Sequence, residues 1–365
     1  MNKLYLLSTT TMNNIDVVAK ASEFKNKGAD GILFMEDSTN DKEHDANIGA
    51  LIEIKNTLDI IFYVSGNVKR LEDVKKYLYA GAAGVVIEND NPVKEEAIKR
   101  FGEDKVLDPS DIKVLTQNEI TFLDEASTGL YVLESENYYE IKSILDGKNI
   151  KTTSLKPKFS FSDLKTIDMS GQKMVPVIVQ DYRTSEVLMS AYMNEEAFDK
   201  TVYTGKMTYF SRSRSELWVK GETSDHYQYV KELIADCDKD VILAKVHQIG
   251  AACHTGNRTC FFNEICKADY NEENPMKVFE NVYDVIMDRK NNPKEGSYTN
   301  YLFDKGIDKI LKKVGEEATE IVIAAKNPDP QEIKYEISDF LYHVMVLMAE
   351  KGVSWDDITE ELSRR

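Results

Sequence analysis

Residues 235–262 read ADCDKDVILAKVHQIGAACHTGNRTCFF. The run opens on Asp236-Cys237-Asp238-Lys239-Asp240 and closes on Cys253-His254-Thr255-Gly256 and Cys260. Three of the chain's four cysteines lie in it. Thiolates are soft ligands that suit zinc, whereas carboxylates are hard ligands that suit magnesium. Both kinds interleaved in one short segment point to two metal positions close together. Three thiolates leave a fourth position open on a tetrahedral zinc, where a catalytic site keeps its water. A closed structural zinc, with Cys266 or His254 as fourth ligand, is the competing reading of the same spacing. Buried cysteines without a metal fit less well, because Asp, His, Thr and Asn neighbours do not suit an apolar core.

Composition bounds what surrounds this segment. At 365 residues the chain exceeds one ordinary domain, and two or three are expected. A hydrophobic content of 42% supplies sizeable cores, and a net charge of −17 argues against a nucleic-acid partner. Phosphorylated metabolites stay within reach through a local basic patch or bound metals. The opening MNKLYLLSTTTMNN has no long apolar run, so no signal peptide is expected. No membrane span is expected either, since no stretch is long and apolar enough. Cysteines confined to 237–266 read as reduced metal ligands, which places the chain in the cytoplasm.

Around the metal-ligand segment, Val175–Asp181, Lys206–Ser211, Leu217–Lys220 and Val241–Gln248 read as strands, and a helix or turn is expected between Thr223 and Ile234. Arg212, Arg214 and Lys220 are locally basic, and the planar guanidinium fork suits phosphate. On residue type alone, a solvated strand face is the favoured reading of them. The sequence Asp-Cys-Asp-x-Asp, then Ala-Cys-His-Thr-Gly and Thr-Cys-Phe, resembles phosphoribosyl-AMP cyclohydrolase. Ala191-Tyr192-Met193-Asn194-Glu195, Phe210-Ser211-Arg212-Ser213-Arg214, Leu217-Trp218 and Lys220-Gly221-Glu222-Thr223-Ser224 extend the resemblance over 175–262. It implies zinc on Cys237, Cys253 and Cys260, completed across a dimer interface, and magnesium on Asp236, Asp238 and Asp240. It also implies substrate contacts from Arg212, Arg214, Trp218 and Lys220. His254 beside Cys253 either moves a proton or is simply hydrogen-bonded next to the metal. Asp225-His226 stands where that family usually has Gly-Asn.

Residues 1 to about 110 alternate strand and helix, and 111–160 carry a less regular pattern. Apolar strands at Leu4–Leu7, Gly31–Met35, Ile60–Val64, Val85–Ile87 and Gly129–Leu133 are spaced by helical patterns at Ile15–Lys27, Ala46–Thr57, Leu71–Tyr79 and Tyr138–Leu145. Strands this apolar imply a parallel sheet. KGADGILF (27–34) and VSGNVKRLEDVKKYLYAGAAGVVI (64–87) resemble the first half of the (β/α)8 isomerase and cyclase enzymes of histidine biosynthesis. A full barrel takes about 250 residues, so a half-barrel-like domain is expected. Leu6-Leu7-Ser8 stands where those enzymes have a catalytic Asp, and Ser65-Gly66-Asn67 where they have a glycine-rich turn. The domain is therefore read as catalytically silent, serving structure or assembly. A phosphate held at Gly66 and Asn89 is the alternative. Lys151–Lys158 reads as a linker.

A second linker is expected at 267–274, followed by an all-α bundle of four helices. Asn274-Pro275 reads as cap and first residue of a helix carrying Phe279, Val282, Tyr283 and Ile286. The second helix spans Ile307 to Ala325, the third follows Asp329-Pro330, and a short fourth starts at Ser354. Glu316-Glu317-x-x-Glu320 and Glu336-x-x-Asp339 each put carboxylates on one helix face. Facing carboxylates hold magnesium against a polyphosphate, although solvated acidic faces are common in so acidic a chain. Val282–Lys290, Gly296-Ser297-Tyr298-Thr299, Lys313-Val314-Gly315-Glu316-Glu317-Ala318 and Asp339-Phe340-Leu341-Tyr342-His343 resemble phosphoribosyl-ATP pyrophosphohydrolase over 275–365. That implies a MazG-like bundle, with magnesium on Glu317, Glu320, Glu336 and Asp339 and with Glu316 as a neighbour. Arg289, Lys309 and Lys313 are the implied phosphate contacts.

The fold class expected is thus multidomain: a (β/α) half-barrel-like domain (1–155), an α+β zinc-binding cyclohydrolase domain (156–268) and an all-α pyrophosphohydrolase bundle (275–365). The two resemblances imply consecutive steps. Phosphoribosyl-ATP is cut to phosphoribosyl-AMP and pyrophosphate, and a zinc-activated water then opens the adenine ring between N1 and C6. A homodimer without nucleic-acid or membrane partners goes with that reading. Two alternatives compete with it: a general nucleotide pyrophosphohydrolase carrying a structural zinc module, and a pathway scaffold whose own sites are dead.

Overall fold

A computed structural model of the chain describes residues 3–12, 16–169, 171–269, 274, 277–328 and 330–363. It divides into two compact units, one ending at Glu264 and the other beginning at Ile265.

The first unit opens with seven parallel strands: β1 (Leu4–Thr11), β2 (Gly31–Met35), β3 (Ile61–Ser65), β4 (Gly84–Val86), β5 (Val106–Leu107), β6 (Ile112–Val114) and β7 (Gly129–Val132). Helices α1 (Val17–Asn26), α2 (Asp41–Thr57), α3 (Leu71–Tyr79), α4 (Lys94–Phe101) and α5 (Tyr138–Gly147) accompany them. The strand order is β5-β4-β3-β2-β1-β7-β6, a cyclic order left open only between β5 and β6. Leu7, Leu33, Tyr63, Val86, Leu107, Ile112 and Val132, one from each strand, meet in a single apolar cluster. One face of the sheet is therefore rolled inward and filled, as in a barrel interior, while the other face packs on the helices. This is the half-barrel-like architecture, with two strands more than the hydrophobic runs suggest. β5 and β6 have two and three residues, too few for periodicity to register. Helix α2 starts earlier than its apolar stripe because the Asn40 side chain accepts the Glu43 N–H and caps it.

The same unit continues through β8 (Ile167–Met169), β9 (Gln172–Asp181), β10 (Val187–Met193), α6 (Glu195–Thr204), β11 (Thr208–Ser211), β12 (Glu216–Val219), β13 (Gln228–Ala235) and β14 (Ile242–Gln248). β10-β9-β14-β13 form a sheet with β8 on β9, and β11-β12 form a hairpin. The helix or turn expected over 223–234 is corrected here. Only 221–225 turns, and β13 follows as a strand paired antiparallel with β14. Tyr229, Val230, Leu233 and Ile234 supply the β-favouring residues that make it so. The two sheets share one unit because polar contacts tie them. Lys206 Nζ donates to Asn26 Oδ1 at 2.6 Å, and Lys231 reaches Asp59 at 2.8 Å. Lys25 lies 4.6 Å over the Tyr229 ring.

The second unit is a bundle of α7 (Lys277–Asn291), α8 (Tyr298–Lys305), α9 (Ile307–Ala324), α10 (Pro330–Lys351) and α11 (Trp355–Ser363). The expected count of four is corrected by α8, whose eight residues are too few to show a clear stripe. Ser297 caps it, and Gly306 at φ +78° separates it from α9. Pro275 and Asp329, read as helix-start signals, lie outside the described residues. No helix among the described residues is long and apolar enough to cross a membrane.

Candidate metal centres

In the second unit, α9 and α10 pack together and bring ligand oxygens of Glu317, Glu320 and Glu336 within 4.8 Å of one another. Glu317 is buried. Lys313, one turn earlier, places Nζ 2.9 Å from Glu317 and 3.2 Å from Glu316. The hydrogen bond to Glu317 holds the Lys313 ammonium above its ordinary pKa. Glu336 is pushed up, first by desolvation and then by Glu320 and the surrounding negative charge. Like charges held this close raise a carboxyl pKa, and a cation placed among them would lower it again. Asp339 is exposed and stands outside the 4.8 Å group, although its charge acts on Glu336. Glu316 pairs with Lys312 and Lys313 rather than joining the group. Arg289 pairs with its neighbour Asp288. Lys309 lies 5.9 Å from the Tyr301 ring centroid. Sequence reasoning passed over His343, which is buried 3.7 Å from Glu317. Its Nδ1 lies 2.8 Å from the Asp339 carbonyl, and Tyr298 Oη lies 3.1 Å from its Nε2. The Asp339-to-His343 spacing of one helical turn was the available signal.

In the first unit, the turn between β13 and β14 carries Asp236, Asp238 and Asp240, whose carboxylates also gather within 4.8 Å. Asp236 accepts the N–H groups of Asp240 and Val241 at 3.0 and 3.2 Å. Against desolvation, these bonds hold its carboxyl below the usual range. Asp240 is pushed up, by desolvation first and by Asp238 and Asp236 next. At the far end of β14, Cys253 is buried, and Thr255 Oγ1 donates to its sulfur at 3.0 Å. This bond lowers the Cys253 thiol pKa, while burial and the neighbouring Cys253 raise that of Cys260. The Cys260 N–H to the Leu188 carbonyl, at 2.7 Å, anchors the second cysteine beside the first. Lys220 is buried close enough for both thiols to favour its charge against desolvation.

Cys237 is exposed at the opposite end of β14. The seven residues of that strand span about 20 Å. Among the described residues, no three-ligand group includes a cysteine. The structure thus brings Cys253 and Cys260 together and leaves Cys237 with the aspartates. His254 is exposed, its Nδ1 4.0 Å from the Cys253 sulfur. Cys266, the other candidate fourth ligand, is exposed and lies in the other unit. Arg212 stacks 4.2 Å over Tyr192, Arg214 pairs with Glu216 at 3.1 Å, and Trp218 packs on Tyr209. Gly221, at φ +94°, makes the turn after Lys220; a Cβ there would sit 2.5 Å from the Tyr227 nitrogen.

The carboxyl ends of β2 and β3 hold a different kind of acid. Glu36 accepts from Tyr77 Oη (2.6 Å), Asn47 Nδ2 (2.9 Å) and the Ser38 N–H (2.8 Å), and lies 2.8 Å from His44 Nδ1. Burial pushes it up, but these bonds together outweigh it and hold the carboxyl at about 2. A Cβ on Gly66, at φ +99°, would sit 2.3 Å from the Glu36 carbonyl oxygen. Asn89 accepts from Lys94, which also pairs with Asp108. A buried anion and an occupied Asn89 disfavour the alternative of a phosphate at Gly66 and Asn89.

Comparison with known proteins follows this division. The phosphoribosyl-AMP cyclohydrolase family model matches residues 189–262, the phosphoribosyl-ATP pyrophosphohydrolase model 279–365 and the histidine biosynthesis protein model 7–122. The histidine biosynthesis bifunctional protein HisIE of Thermoanaerobacter pseudethanolicus is 52% identical over 212 residues, covering 54% of this chain and 98% of that protein. Those of Lactococcus lactis and Bacillus subtilis are 49% and 46% identical, each covered over 91% of its length and covering 54% and 53% of this chain.

Proposed function

Because the chain belongs to the bifunctional histidine biosynthesis family that joins a phosphoribosyl-AMP cyclohydrolase to a phosphoribosyl-ATP pyrophosphohydrolase, we propose that its two ligand clusters are the two reaction centres. The observation that carries this is that each enzyme region gathers its own carboxylate group able to hold a cation, Asp236, Asp238 and Asp240 in the first unit and Glu317, Glu320 and Glu336 in the second. Magnesium on Glu317, Glu320, Glu336 and the nearby Asp339 fits a Glu336 carboxyl raised first by desolvation and then by the neighbouring negative charge. Magnesium on the aspartates fits the same pattern at Asp240. Zinc fits the paired thiols of Cys253 and Cys260, one of them already shifted toward thiolate. When bound, the metals supply charge neutralisation for the polyphosphate and a water acidified to a pKa near 7.

The residues supply the rest. In the bundle, Lys313 holds Glu317 in place and offers its ammonium to a phosphate, while Lys309 and Arg289 are further phosphate contacts. Water adds across the bond between the α and β phosphates, giving phosphoribosyl-AMP and pyrophosphate. In the first unit, water adds at C6 of the adenine, the N1–C6 bond breaks, and N1 takes the proton. His254, exposed beside Cys253, moves that proton. Lys220 stabilises the thiolates, and Arg212, Arg214 and Trp218 hold the substrate. Cys237 completes the zinc of a second copy, so the active form is a homodimer. The free thiols suit a reducing cytoplasm.

Purified chain given phosphoribosyl-ATP, zinc and magnesium should release pyrophosphate and a product one water heavier than phosphoribosyl-AMP, identified by mass. Accumulation of phosphoribosyl-AMP instead would show the thiol site to be inactive or structural. No turnover would leave the scaffold reading.

A further inference from the structure

We propose that the exposed rings of Tyr298 and Tyr301 are the platform on which the pyrophosphohydrolase stacks the purine of its substrate. One face of α9 then leads the phosphates from that platform to the carboxylates. The inference rests on the pyrophosphohydrolase reading above and adds the element that reads the base.

Tyr298 and Tyr301 stand one turn apart on α8, with ring centroids 6.1 Å apart and planes 24° apart. Tyr342 of α10 adds a third near-parallel ring, 6.5 Å from Tyr298 at 23°. Exposures of 47% for Tyr298 and 42% for Tyr301 leave much of both rings in water. An aligned but exposed aromatic stack is what a nucleobase needs, since every base has a π face to lay on it. The stack is also fixed relative to the chemistry, because the Tyr298 hydroxyl is held by His343 and His343 sits beside Glu317.

The path from ring to metal ligands is basic. The ammonium groups of Lys305 and Lys309 both lie 5.9 Å from the Tyr301 ring centroid. Lys309, Lys313 and Glu317 follow at four-residue intervals and so share one face of α9. From Lys309 to Glu317 the helix rises about 12 Å. That leaves room for a ribose and the first phosphate between a base on Tyr301 and a cleavage point at the carboxylates. Aromatic rings, then lysines, then carboxylates is the order in which a nucleoside triphosphate presents its base, its phosphates and their metal.

The test is competition against pyrophosphate release from phosphoribosyl-ATP by the full chain, with AMP or inorganic pyrophosphate as inhibitor. Tyr301→Leu and Tyr301→Met keep apolar bulk and remove the π face. Each should raise the AMP inhibition constant about tenfold. The pyrophosphate constant should stay within twofold, which also reports that the site is folded. Tyr301→Phe should behave as the unsubstituted chain. A folded Tyr301→Leu or Tyr301→Met that AMP still inhibits normally overturns the platform. Independently of any substitution, saturation transfer from tyrosine ring protons to the AMP base in the unsubstituted chain should be seen, and its absence overturns the proposal equally. Failure of the unsubstituted chain to release pyrophosphate would instead remove the underlying reading.

Discussion

The two candidate metal-ligand groups of this chain, glutamates and thiols, are built on opposite principles. The glutamates of the bundle come from α9 and α10, two adjacent helices, and one chain closes the group by itself. The thiols flank β14, and one chain brings together only Cys253 and Cys260 while Cys237 is carried off to the far end of the strand. A helix returns a side chain to the same face every turn, so carboxylates at i, i+3 and i+4 converge as soon as the helix forms. A strand carries its ends apart at over 3 Å per residue. On the proposed reading, a second copy would supply the thiol that β14 carries away. The first group is closed by the fold of one chain, whereas the three thiols are not, and the proposed zinc site would draw its third thiol from a second copy.

The largest expected effect separates the two centres within one chain. Cys260→Ser should lower ring opening by roughly a thousandfold or more, since the acidified water is lost, and leave pyrophosphate release within twofold. Loss of both activities together would mean that the two centres are not independent. Next comes complementation. Chains carrying Cys237→Ser or Cys253→Ser should each be inactive in ring opening. Mixed after partial unfolding and refolding, they should recover about a quarter of the activity, because half the dimers are mixed and each mixed dimer holds one intact site. No recovery would place all three thiols in one chain and break the comparison. Glu320→Gln should cost pyrophosphate release about a hundredfold, with ring opening of supplied phosphoribosyl-AMP unchanged. Mixing it with Glu336→Gln should restore nothing, which is the converse of the cysteine experiment.

The smallest effect sharpens the contrast between an acid raised by burial and like charges and an acid satisfied by its own donors. Glu336 is raised by desolvation and like charges, whereas Glu36 is satisfied by hydroxyl, imidazole, amide and backbone donors and is held at about 2. The stabilisation from Glu36 is complete above the ordinary carboxyl value of 4.5 and is lost as pH falls from there toward 2. Denaturant unfolding of the first unit should therefore weaken by roughly 3 kcal/mol across that window. Glu36→Gln should flatten the slope, and an unchanged slope would remove the assignment.

How much of this is legible in the sequence follows from the same distinction. The glutamate group was readable because helical spacing is local, and the parallel sheet because its strands are continuous apolar runs. The cysteines were read as ligands from residue type and motif, but nothing in their spacing shows that β14 would separate Cys237 from the other two. Helix α8 hid because it is eight residues long, and Tyr298 was quoted only within a motif because its alignment with Tyr301 and Tyr342 depends on contacts that no local pattern encodes. β13 was mistaken for a helix or turn because Lys231 and Glu232 interrupt its alternation. His343 was quoted only as part of a motif, and its role depends on contacts with α8 and α9 that no local pattern encodes. The joining of the two sheets into one unit rests on pairs such as Asn26 and Lys206, 180 positions apart.

That joining has a further consequence. Where the two sheets meet, burial lowers both Lys25 and Lys206 from 10.5 to about 8. Their ammonium groups are costly to keep there at neutral pH, and the folded chain gives up these protons before the unfolded chain does. Unfolding of the first unit between pH 8 and 10.5 is therefore accompanied by proton uptake, and its stability rises with alkalinity across that interval. The contact between the sheets therefore costs the folded chain less as its lysines discharge.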